Sequence, residues 1–494
     1  MECRKQYCKK AGMLRKCFFP PILPALMIGM TITGCAAVGP NYTKMETKAP
    51  KKWHTKLENG LSAVQSNPET LAQWWTVLGD PALSDLEKRA VEGNLDLKAA
   101  AARILEARAL RTIQASGRFP TLDGSGSVTR RRSSENSGTG ETRNLYSAGF
   151  DANWELDIFG GIRRSIEAAQ ADLEATQEAL HDVLVSLLAE VALNYVDVRT
   201  LQAQLSAVKA NLKAQQDIYE LNLSRYHAGL IDELAVQQSH YILESTHSQI
   251  PALETGLEKA KNRLAVLLGE RPGAMHQELT KARPIPVLPV TVAVGIPAET
   301  LRHRPDIRRA EQNLAAQTAR IGVATADLYP RFLLFGSIGL ESISSGSLWE
   351  WASRTWGIGP SFSWKIFHAG AIRQNIQAQT ARQKQALIQY ESAVLKAQEE
   401  VENALVAYAK EQRRRESLQA AVTAAKRAYE LSWDRYNAGL VDFSNVLDAT
   451  RSLQSFQDQL ARSDGTATSN LIRLYKALGG GWKSLESTPN VKGK

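Results

Sequence analysis

From Ile162 to Ala228 the chain runs for 67 residues without Pro or Gly. Along it Leu180, Leu184, Leu187, Val191, Asn194, Val198, Leu201, Leu205, Val208 and Leu212 recur at alternating steps of four and three. That spacing is a heptad seam, and it predicts a helix packed side by side with neighbours. At ~1.5 Å per residue the helix would reach roughly 100 Å. A second uninterrupted run, Ile372 to Ala438, follows 210 residues later. Each run ends in a related octapeptide, Arg225-Tyr226-His227-Ala228-Gly229-Leu230-Ile231-Asp232 and Arg435-Tyr436-Asn437-Ala438-Gly439-Leu440-Val441-Asp442. Gly supplies the left-handed residue that closes a helix, and Asp three residues on suits the N-cap of the next. Each octapeptide therefore predicts the tip of a helical hairpin that returns through a shorter helix, about 232–268 or 442–478.

Before each long run the period changes to two. Tyr146, Ala148, Phe150, Ala152, Trp154 and Leu156 alternate with Ser147, Gly149, Asp151, Asn153, Glu155 and Asp157. In the second copy Trp356, Ile358, Phe362, Trp364 and Ile366 alternate with small or polar residues. Weaker strands near 121–131 and 331–342 complete two β-hairpins, four strands in all. The offset of 210 holds throughout: Asp96-Leu97 with Asp306-Ile307, Phe119-Pro120 with Tyr329-Pro330, Gly160 with Gly370, Leu268-Gly269 with Leu478-Gly479. The chain reads as a tandem duplication. Its expected layout is a leader 1–34, an N-terminal segment 35–94, a first repeat 95–270, a linker 271–304, a second repeat 305–480 and a tail 481–494. Within the repeats the hairpins fall at 119–158 and 330–367, the long helices at 161–228 and 371–438. In the N-terminal segment Trp74-Trp75 and Asp80-Pro81-Ala82-Leu83 predict a short helix packed on something larger.

The net charge of +9 comes from 60 Lys and Arg against 51 Asp and Glu. Six of those bases and one acid lie in residues 1–34, so the remainder carries +4 and implies no nucleic-acid partner. The N-terminus has the order of a secretory leader: a basic stretch, then an apolar run from Cys17 to Met30 broken by Pro20, Pro21 and Pro24. It closes on Ile32-Thr33-Gly34-Cys35, which resembles a bacterial lipoprotein signal, with Cys35 acylated after cleavage. Cys3, Cys8 and Cys17 precede that cleavage, so the mature chain keeps a single Cys and no disulfide. No other apolar run is long enough for a membrane-spanning helix.

The alternating strands admit two readings, a soluble two-faced sheet under the helices or the wall of a membrane barrel. Acylation and the tryptophans Trp154, Trp349, Trp351, Trp356 and Trp364 at strand ends favour the barrel. Four strands cannot close a barrel, which needs about eight, and an open edge in lipid leaves backbone groups unpaired. The chain must then pool strands and helices with copies of itself, forming a tunnel.

These features together resemble the TolC-like outer membrane factors, in the lipoprotein branch of the OprM/NodT type. The marks are Gly34-Cys35 with Val38-Gly39-Pro40-Asn41-Tyr42, Trp74-Trp75 with Asp80-Pro81, Gly295-Ile296-Pro297 leading to Arg304-Pro305-Asp306-Ile307, Tyr329-Pro330-Arg331-Phe332, Gly359-Pro360-Ser361-Phe362-Ser363-Trp364, and both tips. The resemblance covers almost all of the mature chain. It implies a mainly α fold with membrane β: a homotrimer with a 12-stranded outer-membrane β-barrel, a periplasmic α-barrel and an equatorial collar. It also implies a periplasmic membrane-fusion adaptor and an inner-membrane RND-type transporter as partners. The implied function is the outer-membrane exit duct of a tripartite efflux pump. A type I secretion duct and a pore-free, lipid-anchored coiled-coil lipoprotein are the alternatives.

Expected sites follow. Cys35 carries the palmitate-type lipid. Arg225, Gly229 and Leu230, with Arg435, Gly439 and Leu440, meet the adaptor. Asp448, Asn445 and Tyr436 line the periplasmic mouth; the resemblance places Asn445 and Asp448 where TolC has two carboxylates and Tyr436 at its gate tyrosine. Val441 and Ala235 replace TolC's locking Arg and Asp, so the gate differs. Tyr146, Phe150, Trp154, Trp356, Phe362 and Trp364 face lipid. No catalytic, cofactor or metal constellation emerges: His240 and His247 share a helix face without a completing carboxylate pattern, and Arg413-Arg414-Arg415 reads as a solvated face between Glu411 and Glu416.

Overall fold

The computed structural model describes residues 37–45, 50–64, 67–286 and 291–482, and the leader, Cys35 and almost all of the tail lie outside them. Strand β1 (Leu61–Ser62) and helices α1 (Pro68–Ala72) and α2 (Pro81–Gly93) come first. There follow α3 (Leu95–Ser116), β2 (Thr121–Arg132), β3 (Thr142–Leu156), α4 (Gly161–His227), α5 (Glu233–His247) and α6 (Gln249–Leu267). After β4 (Val292–Ala293) and α7 (Pro297–His303) the plan recurs as α8 (Pro305–Ala326), β5 (Arg331–Ser342), β6 (Arg354–Ser363), α9 (Ala371–Asn437) and α10 (Phe443–Ala477). The pairs α3 and α8, β2 and β5, and α4 and α9 begin and end 210 residues apart.

Where the copies differ, single residues explain it. Pro251 cannot donate to the carbonyl four residues back, so the expected helix 232–268 divides at Ser248 into α5 and α6. The matching position is Ala461, and α10 runs unbroken for 35 residues. Asp157 accepts hydrogen bonds from the Ile162 and Arg163 amides at 3.0 and 2.8 Å, capping the start of α4. Its counterpart Phe367 cannot cap α9 and stands 85% exposed. Strand β6 stops at Ser363, paired with Arg331, because Pro330 precedes β5 and has no amide proton to extend the ladder. Trp364 and Ile366, expected on the strand, therefore stand beyond it.

The chain divides into a sheet unit (118–164 and 322–372 with residues 37–39) and a helical unit comprising the rest of the described residues. In the sheet unit the order is β2-β3-β5-β6, antiparallel throughout, so β2 and β6 are open edges. The register puts Phe150, Ile338 and Trp356 in one row across three strands, and Ala152, Gly336 and Ile358 in the next such row. Two equivalent bonds tie the hairpins to the chain before them. Trp154 Nε1 donates to the Arg118 carbonyl at 3.0 Å, and Trp364 Nε1 to the Leu328 carbonyl at 3.1 Å.

In the helical unit the core surrounds the middle of α4. Leu184, Leu188, Val191, Ala192, Tyr195, Val196 and Val198 are all fully buried, so this stretch is enclosed on more sides than a two-position seam requires. One window of α4 has the length and hydropathy of a membrane span, contrary to the sequence expectation, but 56% of it is buried in protein, as in a core helix. Trp74 stacks on Tyr475 with centroids 5.7 Å apart, and Leu83, Leu86 and Leu264 close the core. Two matched joints hold the repeat ends. Asn94 caps α3 through the Leu97 amide (2.9 Å) and donates to the Leu267 carbonyl (2.9 Å). Arg304, its counterpart, donates to the Ala477 carbonyl at 2.7 Å, to both oxygens of Asp306 at 3.0 and 2.8 Å, and to Glu400 at 2.6 Å.

Candidate functional site

Both tips close with the same hydrogen bonds. The Gly229 and Leu230 amides donate to the Tyr226 and Arg225 carbonyls, each at 2.9 Å. Gly439 and Leu440 repeat this on Tyr436 and Arg435 at 3.0 and 2.9 Å. The glycines take φ of 71° and 69°, and the arrangement is a Schellman motif. It turns Leu230 and Leu440 outward, each 73% exposed. Asp232 caps α5 through the Ala235 amide at 3.2 Å, whereas Asp442 occupies the N-cap of α10 without a side-chain bond.

The two tips are joined to one another. Arg225 donates to Asn437 Oδ1 at 3.1 Å and lies over the Tyr436 ring at 5.3 Å. Tyr436 is buried, donates to Asn222 at 3.2 Å, and packs on Phe443 within an apolar cluster containing Ile218, Ala235, Ile242, Val446 and Leu447. Within one chain Tyr436 is thus a residue of the tip's own core. Arg435 and Asn445 are exposed; Asn445 donates to the Asp442 carbonyl at 3.3 Å.

Asp448 is exposed, and Arg451 stands beside it at 3.8 Å. Arg451 donates to the Tyr241 hydroxyl and sits over that ring at 5.4 Å. This companion cation was missed from the sequence, although Tyr241 and Arg451 occupy matching positions 210 residues apart. His240 and His247 flank Glu244 at 3.8 and 4.0 Å on an exposed face, and His240 stacks on Tyr219. No group of three or more metal-ligating side chains occurs among the described residues.

On the sheet Phe150, Trp154, Trp356 and Phe362 are exposed and Tyr146 partly so; Trp364, also exposed, lies past the end of β6. At its N-terminal approach Arg164, 4% exposed, donates to the carbonyls of Val38, Ala37 and Gly39 at 3.1, 3.4 and 3.3 Å. The Val38 amide donates to the Phe159 carbonyl at 3.1 Å. Gly39, at φ 90°, passes so near Gly322 that a Cβ would lie 2.4 Å from its Cα. The Val38-Gly39 motif is therefore a pinned backbone, a role its sequence did not disclose. Glu87 is fully buried, neither carboxylate oxygen has a hydrogen-bond partner, and burial pushes its pKa well above the usual range.

The sequence profile of the outer membrane efflux protein family matches residues 86–270 and again 296–480, the two copies seen in the fold. The chain belongs to that family. Nodulation protein T of Rhizobium leguminosarum bv. trifolii is 34% identical over 91% of this chain and 94% of its own length. The solvent efflux pump outer membrane protein SrpC of Pseudomonas putida is 33% identical over 94% of this chain and 98% of its own. Among solved structures, the outer-membrane channel OprN superposes with a TM-score of 0.86 at 35% identity, over 91% of this chain and all of the other. This outer membrane efflux protein is an efflux exit duct of the outer membrane, in a family of channels and not of enzymes.

Proposed function

We propose that this outer membrane efflux protein works as a trimer whose three sheet units close one 12-stranded barrel and whose helices close one tunnel. The observation that carries the reading is the open four-stranded sheet. Its edges β2 and β6 have no strand partner among the described residues, and one face is bare and apolar: Phe150 is 57% exposed, Ile338 66%, Ile358 71% and Phe362 69%. A soluble sheet would not leave such a face in water, and a lipid-facing sheet must find partners for its edges. Twelve strands from three chains meet the size that four cannot. The same exposure weighs against a pore-free structural lipoprotein.

Cys35 is the proposed lipidation site. It lies two residues before Ala37, whose carbonyl accepts from Arg164 in the sheet unit. The tips Arg225, Gly229 and Leu230, with Arg435, Gly439 and Leu440, are the proposed contact for a periplasmic adaptor that links the duct to an inner-membrane RND-type transporter. Their exposed leucines and shared backbone geometry support that role. Asp448 and Arg451 would alternate around the periplasmic mouth. Reconstitution of the purified protein in a planar bilayer tests the duct. Stepwise conductance is expected, and its absence even after the Arg225–Asn437 link is removed by Arg225→Ala would sink the reading.

A further inference from the structure

The sheet register sorts carboxylates by face, although arginines stand on both, with Arg131, Arg143 and Arg331 on the polar one. The apolar face carries Arg130, Arg132 and Arg354 and no carboxylate, while Asp123, Asp151, Glu155 and Glu341 all fall on the other face. The three arginines also share one end of the sheet. Arg130 and Arg132 lie within the last three residues of β2, and Arg354 is the first residue of β6. The opposite end of the same face finishes in Leu122, Leu156, Phe332 and Phe362. An apolar band is thus bordered by cations on one side only.

Beside Arg354 that face opens into a cleft of about 1030 Å³. Gly149 and Gly339 floor it with bare backbone, Phe150, Ile338 and Trp356 line it, and Trp349 and Trp351 stand at its rim, 77% and 78% exposed. Arg354 donates from Nε to the Trp351 carbonyl at 2.8 Å and lies over the Trp351 ring, so the cation is set at the cleft mouth. Arg132 is shared with the Gly140 carbonyl at 3.0 Å and Glu135 at 3.4 Å.

We infer that this face binds a phosphorylated, multiply acylated glycolipid of the outer leaflet, with acyl chains in the cleft and phosphates on Arg354, Arg130 and Arg132. The inference rests on the barrel reading, which turns the apolar face to lipid and the loops 133–141 and 343–353 outward. Charge complementarity selects the occupant. Cations on a lipid-facing wall are tolerated near the bilayer surface and not at its middle, and guanidinium groups pair with phosphate oxygens in a bidentate fork. A one-sided border of arginines fits a membrane whose outer leaflet alone presents dense phosphate, and the broad cleft fits a lipid with several chains.

The test is native mass spectrometry of the detergent-solubilised full-length protein with bisphosphorylated lipid A added. Monophosphoryl lipid A and phosphatidylglycerol serve as comparators. Wild type should retain lipid A, and retain the monophosphoryl form several-fold less. An R130Q/R132Q/R354Q variant should lose at least tenfold in lipid A retention, and W351A several-fold. Equal retention of phosphatidylglycerol, or equal lipid A binding by wild type and the triple variant, overturns the inference. Conductance is read in parallel in bilayers free of lipid A. There the triple variant should match wild type, and a silent wild type would instead bring down the duct reading on which this site depends.

Discussion

Arg304 shows how much a single side chain can join. It is 7% exposed, and its guanidinium satisfies the Ala477 carbonyl at the end of α10, Asp306 and Glu400 at once. Removing one partner of such a buried ion group typically costs ~3–5 kcal/mol. Arg304→Met should therefore lower the denaturation midpoint of the purified protein sharply, whereas Arg413→Ala, on an exposed pair, should shift it little. The Arg304-Pro305-Asp306 motif was visible in the sequence, but its task was not, because the carbonyl it reaches is 173 residues away. Glu87 makes a second prediction. Its pKa is raised on folding, so the folded chain holds a proton that the unfolded chain has lost. Its stabilisation is complete below the ordinary carboxyl pKa and disappears as pH rises through the folded value, at about 1.4 kcal/mol per pH unit in that window. Glu87→Gln should flatten the fall in thermal stability from pH 5 to pH 8; an unchanged slope would assign it to other groups.

At the scale of elements, what the sequence disclosed depended on whether the deciding signal was local. The two 67-residue helices were legible because nothing interrupts their runs, and the tips because Gly229 and Gly439 mark them. The kink at Ser248 was written in Pro251 but overridden by the strength of the repeat. The end of β6 depended on Pro330, in a different strand's approach, and so could not be read from β6 itself. Tyr436 matched a gate position by motif, yet the chain buries it against Asn222 and Phe443, contacts that motif spacing does not encode. The tips carry two further predictions. Leu440→Asp should leave assembly intact, since Leu440 is 73% exposed, but abolish cross-linking to the adaptor on the proposed assembly. Persistent cross-linking would remove Leu440 from that contact. If the pair lines the mouth as proposed, Arg451 offsets Asp448, and the wild-type duct should discriminate only weakly between ions. Arg451→Ala should raise cation preference and Asp448→Ala should raise anion preference, both read as reversal potentials in a salt gradient. No change in either variant places this pair outside the pore.

For the molecule as a whole, duplication governs how it can assemble. The purified particle in detergent should have three times the mass of one mature chain; a monomer that still conducts would refute closure by pooling. Duplication was plain in the sequence because the offset never drifts, whereas the number three came from resemblance and not from any residue pattern. The paired tips described above have one more consequence. Each chain presents two nearly identical Gly-Leu knobs linked by the Arg225–Asn437 bond and by Arg225 packed over Tyr436. A ligand that grips one knob meets the second at an effective concentration set by their spacing, so two individually feeble grips multiply into avidity. On the proposed trimer this gives six similar handholds of two kinds, and a partner with a matching ring of sites would let go only when several release together.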